Sequence, residues 1–373
     1  MTTRDSSPHA APHSHLDQAN LADDPASLKD DEVDLADVQA AAERIRGVAL
    51  RTPLLAFGAL PSEPDGPRAW LKAENLQPIG AFKIRGAYNA LSQLSDTERA
   101  AGVVSHSSGN HAQGVARAAR LLGIRAVVVM PRDAPAIKVA GVRADGAEID
   151  FVGSDNEERI ARADELAERH GMALVPSFDD ARIVAGQGTA GLEIVAQLGE
   201  MGAAADRPLA VFVPIGGGGL CAGICVAVKG LRPGARVIGV EPELAADAAD
   251  SMRQGRIVRW DPELTGRTIA DGVRSSAVGR IPFAHLRRLL DDVVTVSEDD
   301  IKLAMLEAAV HAHIVVEPSG ALALAAWQRH RADLEAGGDT VMLVSGGNVD
   351  AELYHRLLGE AATLGRRFEA HDE

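Results

Sequence analysis

Cysteine is almost absent from this chain of 373 residues, and the two present, Cys221 and Cys225, fall four apart on one expected helix. That spacing does not suit a disulfide and agrees with a reducing compartment, so both read as small buried residues. Positive charge is also in short supply. The 38 Lys and Arg stand against 53 Asp and Glu, a net charge of -15 that repels phosphate backbones and anionic lipid. No nucleic-acid partner and no membrane partner is expected. No apolar run has the length needed to cross a bilayer, and the N-terminus has no basic stretch followed by an apolar one, so the expected location is cytoplasmic. Residues 1–32 have hardly any large apolar side chains among their Ser, Pro, His, Asp and Ala. Nothing there offsets the entropy of ordering, and the expectation is a disordered tail in which His9, His13 and His15 bind metal weakly at best.

What is present is the composition of a globular chain, 46% hydrophobic and 24% charged, long enough for two domains, with 37 Gly that point to many backbone-dependent turns. Asp34 caps an expected helix running from Leu35 to Arg46, followed by an extended segment at Thr52-Pro53-Leu54 and a strand at Trp70–Ala73. From there strands are expected at 103–106, 126–130, 148–152 and 173–176, with helices at 111–122, 136–144 and 156–170 between them. The second half repeats the alternation, with helices at 188–199, 220–231, 298–312, 318–330 and 349–358 and strands at 209–215, 236–241, 293–296 and 340–345. Runs such as Val127-Val128-Val129-Met130 are apolar at every position, as in a parallel sheet covered by helices on both faces. The expectation is an open α/β architecture, in which ligands bind beyond the carboxyl ends of the strands.

The stretch that organises the chain is Gly80-Ala81-Phe82-Lys83-Ile84-Arg85-Gly86-Ala87, which comes after the breaker Pro78-Ile79-Gly80. It places Lys83 in the first turn of a helix. A primary amine traps a carbonyl only when unprotonated, and a helix N-terminus disfavours a nearby cation while attracting anions. One short segment thus supplies a reactive amine and an anion site, the two things a pyridoxal phosphate enzyme requires of its protein.

Four further loops end strands or open helices. Ser107-Ser108-Gly109-Asn110-His111 presents backbone N–H groups and short hydroxyls, for which a carboxylate is the natural guest, although an ordinary capped turn has the same residues. Gly216-Gly217-Gly218-Gly219 lets the backbone approach a phosphate closely. Taken alone it reads equally well as a dinucleotide site, because Gly217, Gly219 and Ala222 fit G-x-G-x-x-A and Glu241 ends the next strand. The remaining two are Glu317-Pro318-Ser319-Gly320-Ala321 and Ser345-Gly346-Gly347-Asn348-Val349. Ser345 ends a strand, where its hydroxyl can meet a heterocyclic nitrogen or simply cap the next helix. A nicotinamide site would leave the lysine helix and the Ser345 loop unexplained.

The set, in this order, resembles the fold type II pyridoxal phosphate enzymes, most closely the branch of serine and threonine dehydratases and serine racemases, over residues 35–358. The resemblance implies two open parallel-sheet α/β domains with the cofactor between them: a discontinuous large domain of residues 33–99 and 178–365 and a small one of residues 100–177, flanked by tails at 1–32 and 366–373. It implies that Lys83 carries the cofactor as a Schiff base and acts as the base at the substrate α-carbon. Asn110 would hydrogen-bond the ring hydroxyl, Gly216 to Gly219 with Leu220 would hold the phosphate, Ser345 would meet the ring nitrogen and Phe82 would lie beside the ring. Ser107, Asn110 and His111 would bind the substrate carboxylate, with Ser275 nearby. Ala81 departs from the pattern, since the family usually has Ser there.

The implied reaction is β-elimination of water from L-threonine or L-serine, giving a 2-oxo acid and ammonia. A neutral serine at the ring nitrogen withdraws less electron density than a carboxylate would, which favours prompt loss of the β-hydroxyl. Ser108 corresponds to the serine that in racemases faces the lysine from the opposite side of the α-carbon, so amino acid racemisation is the second reading. Glu241, the Ala245 carbonyl and Asp247 have the spacing of the family's metal-dependent members and suit Mg²⁺, or Ca²⁺ or Mn²⁺, with water completing the shell. A homodimer is what the family suggests. About 28 residues remain after Ser345, too few for a regulatory domain, which favours a catabolic role or a less usual β-hydroxy amino acid. A nicotinamide enzyme built on Gly217, Gly219, Ala222 and Glu241 and a non-catalytic amino-acid-binding module are the alternatives from other classes.

Overall fold

The computed structural model describes residues 31–57, 68–107, 109–153, 156–331 and 338–369. Most of the expected N-terminal tail, with its three histidines, and Ser108 lie outside these residues. Two sheets organise the chain. The first has six strands in the order β1-β2-β10-β7-β8-β9, from β1 (Leu54–Phe57), β2 (Arg68–Ala73), β7 (Leu209–Pro214), β8 (Arg236–Pro242), β9 (Asp292–Val296) and β10 (Asp339–Val344). The second has four parallel strands in the order β5-β4-β3-β6: β3 (Val103–His106), β4 (Ala126–Pro131), β5 (Glu148–Val152) and β6 (Ala173–Leu174). The six-stranded sheet is parallel except at its edge, where β1 runs antiparallel to β2.

The apolar runs are buried on both faces, and their alternation says which face meets which helix. In β4, Val127 and Val129 pack on α6 (Asn156–His170), while Val128 and Met130 pack on α4 (Asn110–Leu122) and α5 (Ala136–Ala144). In the larger sheet, Val211, Val213, Val341 and Leu343 face α1 (Leu35–Arg44), α7 (Ala181–Glu200), α8 (Gly219–Leu231) and α11 (Arg280–Leu289). Phe212, Met342 and Val344 face α12 (Glu298–His311), α13 (Pro318–His330) and α14 (Ala351–Glu369). The remaining helices are α2 (Ile84–Ser92), α3 (Asp96–Ala101), α9 (Asp247–Gln254) and α10 (Pro262–Thr265). Among the described residues no helix is long and apolar enough to cross a membrane.

Asp34 caps α1 as expected, in a capping box with Asp37. Helix α7 begins at Ala181, seven residues before the expected start, because Asp180 caps it by accepting from the N–H groups of Arg182 and Ile183. Gly186 hides that first stretch by lowering helix propensity, but packing demands it, as it does Gly188 further along. A Cβ on Gly186 would lie 2.6 Å from Gly86 Cα, and one on Gly188 2.7 Å from the Gly223 carbonyl, so α7 touches α2 and α8 backbone to backbone. Helix α11 is not marked in the sequence, since Pro282 interrupts the pattern; in the first turn Pro has no hydrogen bond to lose. Helix α14 continues to Glu369, past the expected end at 358 and into the segment 366–373 expected as a tail.

Candidate functional site

The loops after β3, β7 and β10 and the segment between β2 and α2 end in one cleft between the two sheets. Lys83 is the N-cap residue of α2, and its position is set by the backbone around it. The Phe82 N–H donates to the Ser345 carbonyl at 3.1 Å and the Gly347 N–H to the Gly80 carbonyl at 2.9 Å, lacing the lysine segment to the loop after β10. Gly80 takes a left-handed conformation to make that turn, with φ of 72°. The Lys83 Nζ donates to the Ser177 carbonyl at 2.9 Å and lies 5.1 Å from the centre of the Phe82 ring. Burial lowers this amine to about 8, well below the ordinary lysine range.

Opposite stands the glycine loop at the N-terminus of α8. Gly218, the N-cap residue, has φ of 88°, and a Cβ on Gly216 would come within 3.0 Å of Val273 Cα. A side chain at Gly217 would enter the ring of Phe178. The first N–H groups of α8 have no partner within the helix and point towards the cleft end of β7, a cradle for an anion. Phe82, Lys83, Ser107, Asn110, His111, Gly216 to Gly219, Leu220, Ser275 and Ser345 all line the same cleft, so every described residue expected around the cofactor and substrate is brought together.

His111 is 2% exposed. Its Nε2 lies 3.2 Å from the Val175 carbonyl, which can only accept, so Nε2 carries the proton and Nδ1 is a bare acceptor without a partner. Burial, with Lys83 beside it, lowers the imidazole to about 3 and keeps it neutral. A side chain of this form cannot donate to a carboxylate. The backbone N–H groups in the first turn of α4 can.

The cleft also contains groups to which the sequence alone gives no role: Lys138, Ser177, Phe178, Asp271 and Glu317. Asp271 and Glu317 stand in or beside loops that the sequence marks, but Lys138 is one lysine in an apolar helix and no local motif marks it.

Glu241, Ala245 and Asp247 do not line the cleft; they lie behind it, near Cys221 in the first turn of α8, whose thiol is raised by burial first, then by Cys225 and least by Glu241. Both Glu241 oxygens accept backbone N–H groups, from Ala248 at 3.0 Å and Ala249 at 2.7 Å, and the side chain is fully buried outside the cleft, so it is not presented to a ribose at the glycine loop. Asp247 is buried, and neither of its oxygens has a hydrogen-bond partner. Burial raises its carboxyl to about 7, and burial with the Asp247 charge raises Glu241 as well. Two buried carboxylates that repel one another suit a hard cation. Among the described residues no group of three or more His, Cys, Asp or Glu is placed to hold a metal, so such an ion would depend on the Ala245 carbonyl and water.

An amine held below its usual range, an anion cradle at a helix N-terminus and a strand-end hydroxyl form the donor set that suits pyridoxal phosphate. Comparison with known proteins agrees. The profile of the family described as pyridoxal-phosphate dependent enzyme matches residues 45–346. An L-threo-3-hydroxyaspartate ammonia-lyase of Pseudomonas sp is 43% identical over 86% of this chain and 97% of its own length. A serine racemase of Schizosaccharomyces pombe is 39% identical over 87% and 97%. The crystal structure of a T.th. threonine deaminase superposes with a TM-score of 0.78 at 46% identity, covering 85% of this chain and 99% of that one. The chain therefore belongs to the pyridoxal-phosphate dependent enzymes, in the ammonia-lyase and racemase family of the fold type II architecture.

Proposed function

We propose that the protein is an ammonia-lyase for β-hydroxy amino acids with a neutral side chain, L-threonine or L-serine, releasing a 2-oxo acid and ammonia. The observation that carries the choice of substrate is the state of the cations in the cleft. Lys83 is taken by the chemistry, His111 is neutral, and the Lys138 ammonium is already held 2.5 Å from Asp271 and 3.5 Å from Glu317. None of these is left to meet a second carboxylate on the substrate.

When bound, pyridoxal phosphate supplies an electron sink for negative charge at the substrate α-carbon. The glycine loop and the N-terminus of α8 would hold its phosphate, Phe82 would flank the ring, and the Ser345 hydroxyl would meet the ring nitrogen without adding charge. The first turn of α4, with Ser107, would hold the substrate carboxylate and so orient the α-hydrogen. Lys83 would remove that proton; its lowered pKa makes the neutral base accessible near neutral pH. We further propose that residues 100–177 form a lobe that closes on a body made of 33–99 and 178–365.

The test is to supply pyridoxal phosphate and L-threonine, L-serine or L-threo-3-hydroxyaspartate in parallel, and to measure 2-oxo acid and D-isomer in each sample. Threonine or serine giving mostly 2-oxo acid is the expected result. The 43% identity to a hydroxyaspartate lyase favours a second reading, and a kcat/KM at least about tenfold higher for hydroxyaspartate would replace the first. Predominant D-isomer would make the protein a racemase and direct attention to Ser108.

We also propose Mg²⁺ between Glu241, the Ala245 carbonyl and Asp247. An Asp raised in the folded state stabilises below its unfolded value of about 3.9, and that contribution is lost as pH rises through the folded value. For Asp247 the folded value is about 7. The cation-free protein should therefore melt at lower temperature as pH rises through about 7, and Mg²⁺ should restore more stability at about pH 8 than at about pH 6. A Mg²⁺ effect on melting that is absent, or equal at both pH values, would remove the site.

A further inference from the structure

The cleft is crossed by five polar side chains taken alternately from the two sheet units. Asn348 Nδ2 donates to Asn110 Oδ1 at 2.9 Å, and Asn110 Nδ2 donates to Glu317 Oε1 at 2.5 Å. Lys138 Nζ then lies 3.5 Å from Glu317 Oε2 and donates to Asp271 Oδ2 at 2.5 Å. Asn348, Glu317 and Asp271 belong to loops and helix ends around the six-stranded sheet; Asn110 and Lys138 belong to α4 and α5 on the four-stranded one. The Lys138 and Glu317 side chains are each 2% exposed, whereas Asp271 reaches solvent at 30%.

An amide can face two ways, and these neighbours permit one. Reversed, Asn110 would set its oxygen against the Glu317 carboxylate and its NH₂ against that of Asn348. In the observed orientation the second Nδ2 hydrogen remains available to the cleft. The arrangement holds while Glu317 is ionised, because a protonated carboxyl accepts weakly and can donate. Burial raises Glu317 to about 7; Lys138 and the Asn110 hydrogen bond pull it down, and Asp271 pushes it up. Lys138 in turn stays protonated despite burial because Glu317 and Asp271 face it. Lys83 and His111 are the other titratable groups lining the cleft.

We propose that Lys138 and Glu317 are positioning residues: Lys138, anchored by Asp271, keeps the Glu317 carboxylate ionised while the two sheet units are together, and Glu317 fixes the donor face of Asn110 towards the cofactor. The inference rests on the reading of the cleft as the pyridoxal phosphate site. Opening the units would separate Lys138 from both acids, so closure and the ionisation of Glu317 become one event.

The experiment is the pH profile of kcat/KM for the loaded enzyme and three variants, with amide hydrogen exchange at residues 109–111 of the full chain without cofactor. Lys138→Met should move the acid limb to higher pH by about one unit. Asp271→Asn should move it to lower pH, and Glu317→Gln should abolish it while lowering kcat about tenfold. Exchange at 109–111 should quicken in Lys138→Met. Because Asp271 is partly exposed, its variant keeps the test alive if Lys138→Met fails to fold. Limbs that stay put or move in the same direction would overturn the network alone. A wild-type protein that binds no pyridoxal phosphate would overturn the reading beneath it as well.

Discussion

Lys83→Ala should lose turnover by at least about 10⁴-fold, with its residual rate independent of the small shifts in fold that other cleft substitutions cause. Among the described residues the amine is the one group that combines a lowered pKa with anchoring at the start of α2, and nothing in the neighbouring segment can replace it: Phe82 and Ile84 are apolar, and Arg85 points into the protein, fully buried. Cofactor binding should survive, since the glycine loop and the N-terminus of α8 lie on a separate element, so the loss should fall on kcat. Borohydride should fix the cofactor covalently to the wild-type chain at Lys83 and fail to do so in the variant. A small primary amine added to Lys83→Ala should restore part of the rate. A variant that turns over at near wild-type rate would remove Lys83 from the chemistry.

Arg85→Met should cost on the order of 3–5 kcal/mol of folding stability, read as a lower urea midpoint of the cofactor-free chain. Two residues beyond Lys83, the Arg85 guanidinium is fully buried and donates to both oxygens of Glu74 at 2.7 and 2.8 Å, to both of Glu193 at 2.7 and 2.8 Å, to Thr189 and to the Leu50 carbonyl. Lys72, also buried, completes the group through Glu193 at 2.6 Å and the Thr52 carbonyl. Two cations and two anions close the charge. Methionine fills the space and leaves the buried Glu74 and the partly exposed Glu193 facing one ammonium. Arg85→Lys should not rescue, because an ammonium lacks the planar fork that serves both carboxylates at once. The sign with pH comes from Glu74, which Arg85 holds below the ordinary range although burial alone would raise it. Its contribution is present above the unfolded value of about 4.3 and is lost as pH falls through the depressed one, so the variant should show a flatter acid limb of stability. An unchanged urea midpoint would mean that the network adds nothing to the fold.

The regular elements were legible because each carries its own period. The run Val127 to Met130 says by composition alone that it is a strand covered on both faces, and β4 is one. The glycine loop before α8 was legible because backbone freedom is a local property of four residues in a row. Helix α7 was legible only in part. Gly186 lowers the helix propensity of its first turns, and what makes glycine fit there is the backbone of α2 pressed against it. What His111 can do is likewise set from far away: the resemblance implies a carboxylate-binding residue, and the Val175 carbonyl, 64 residues distant, fixes the ring tautomer so that the side chain is an acceptor and donation falls to the backbone of the turn.

By itself the sequence determined the α/β class, the order of the loops, the identity of the reactive lysine candidate and the absence of a long apolar run or an excess of basic residues, because these depend on composition and on neighbours within one turn or strand. Only the tertiary structure decided which polar groups share a charge. Lys138 meets Asp271 across 133 residues and Asn110 meets Glu317 across 207, and neither spacing has any local signature. Pairing of buried charges is set by where the folded sheets bring their loops together and by the cost of leaving any one of them alone in the dry interior.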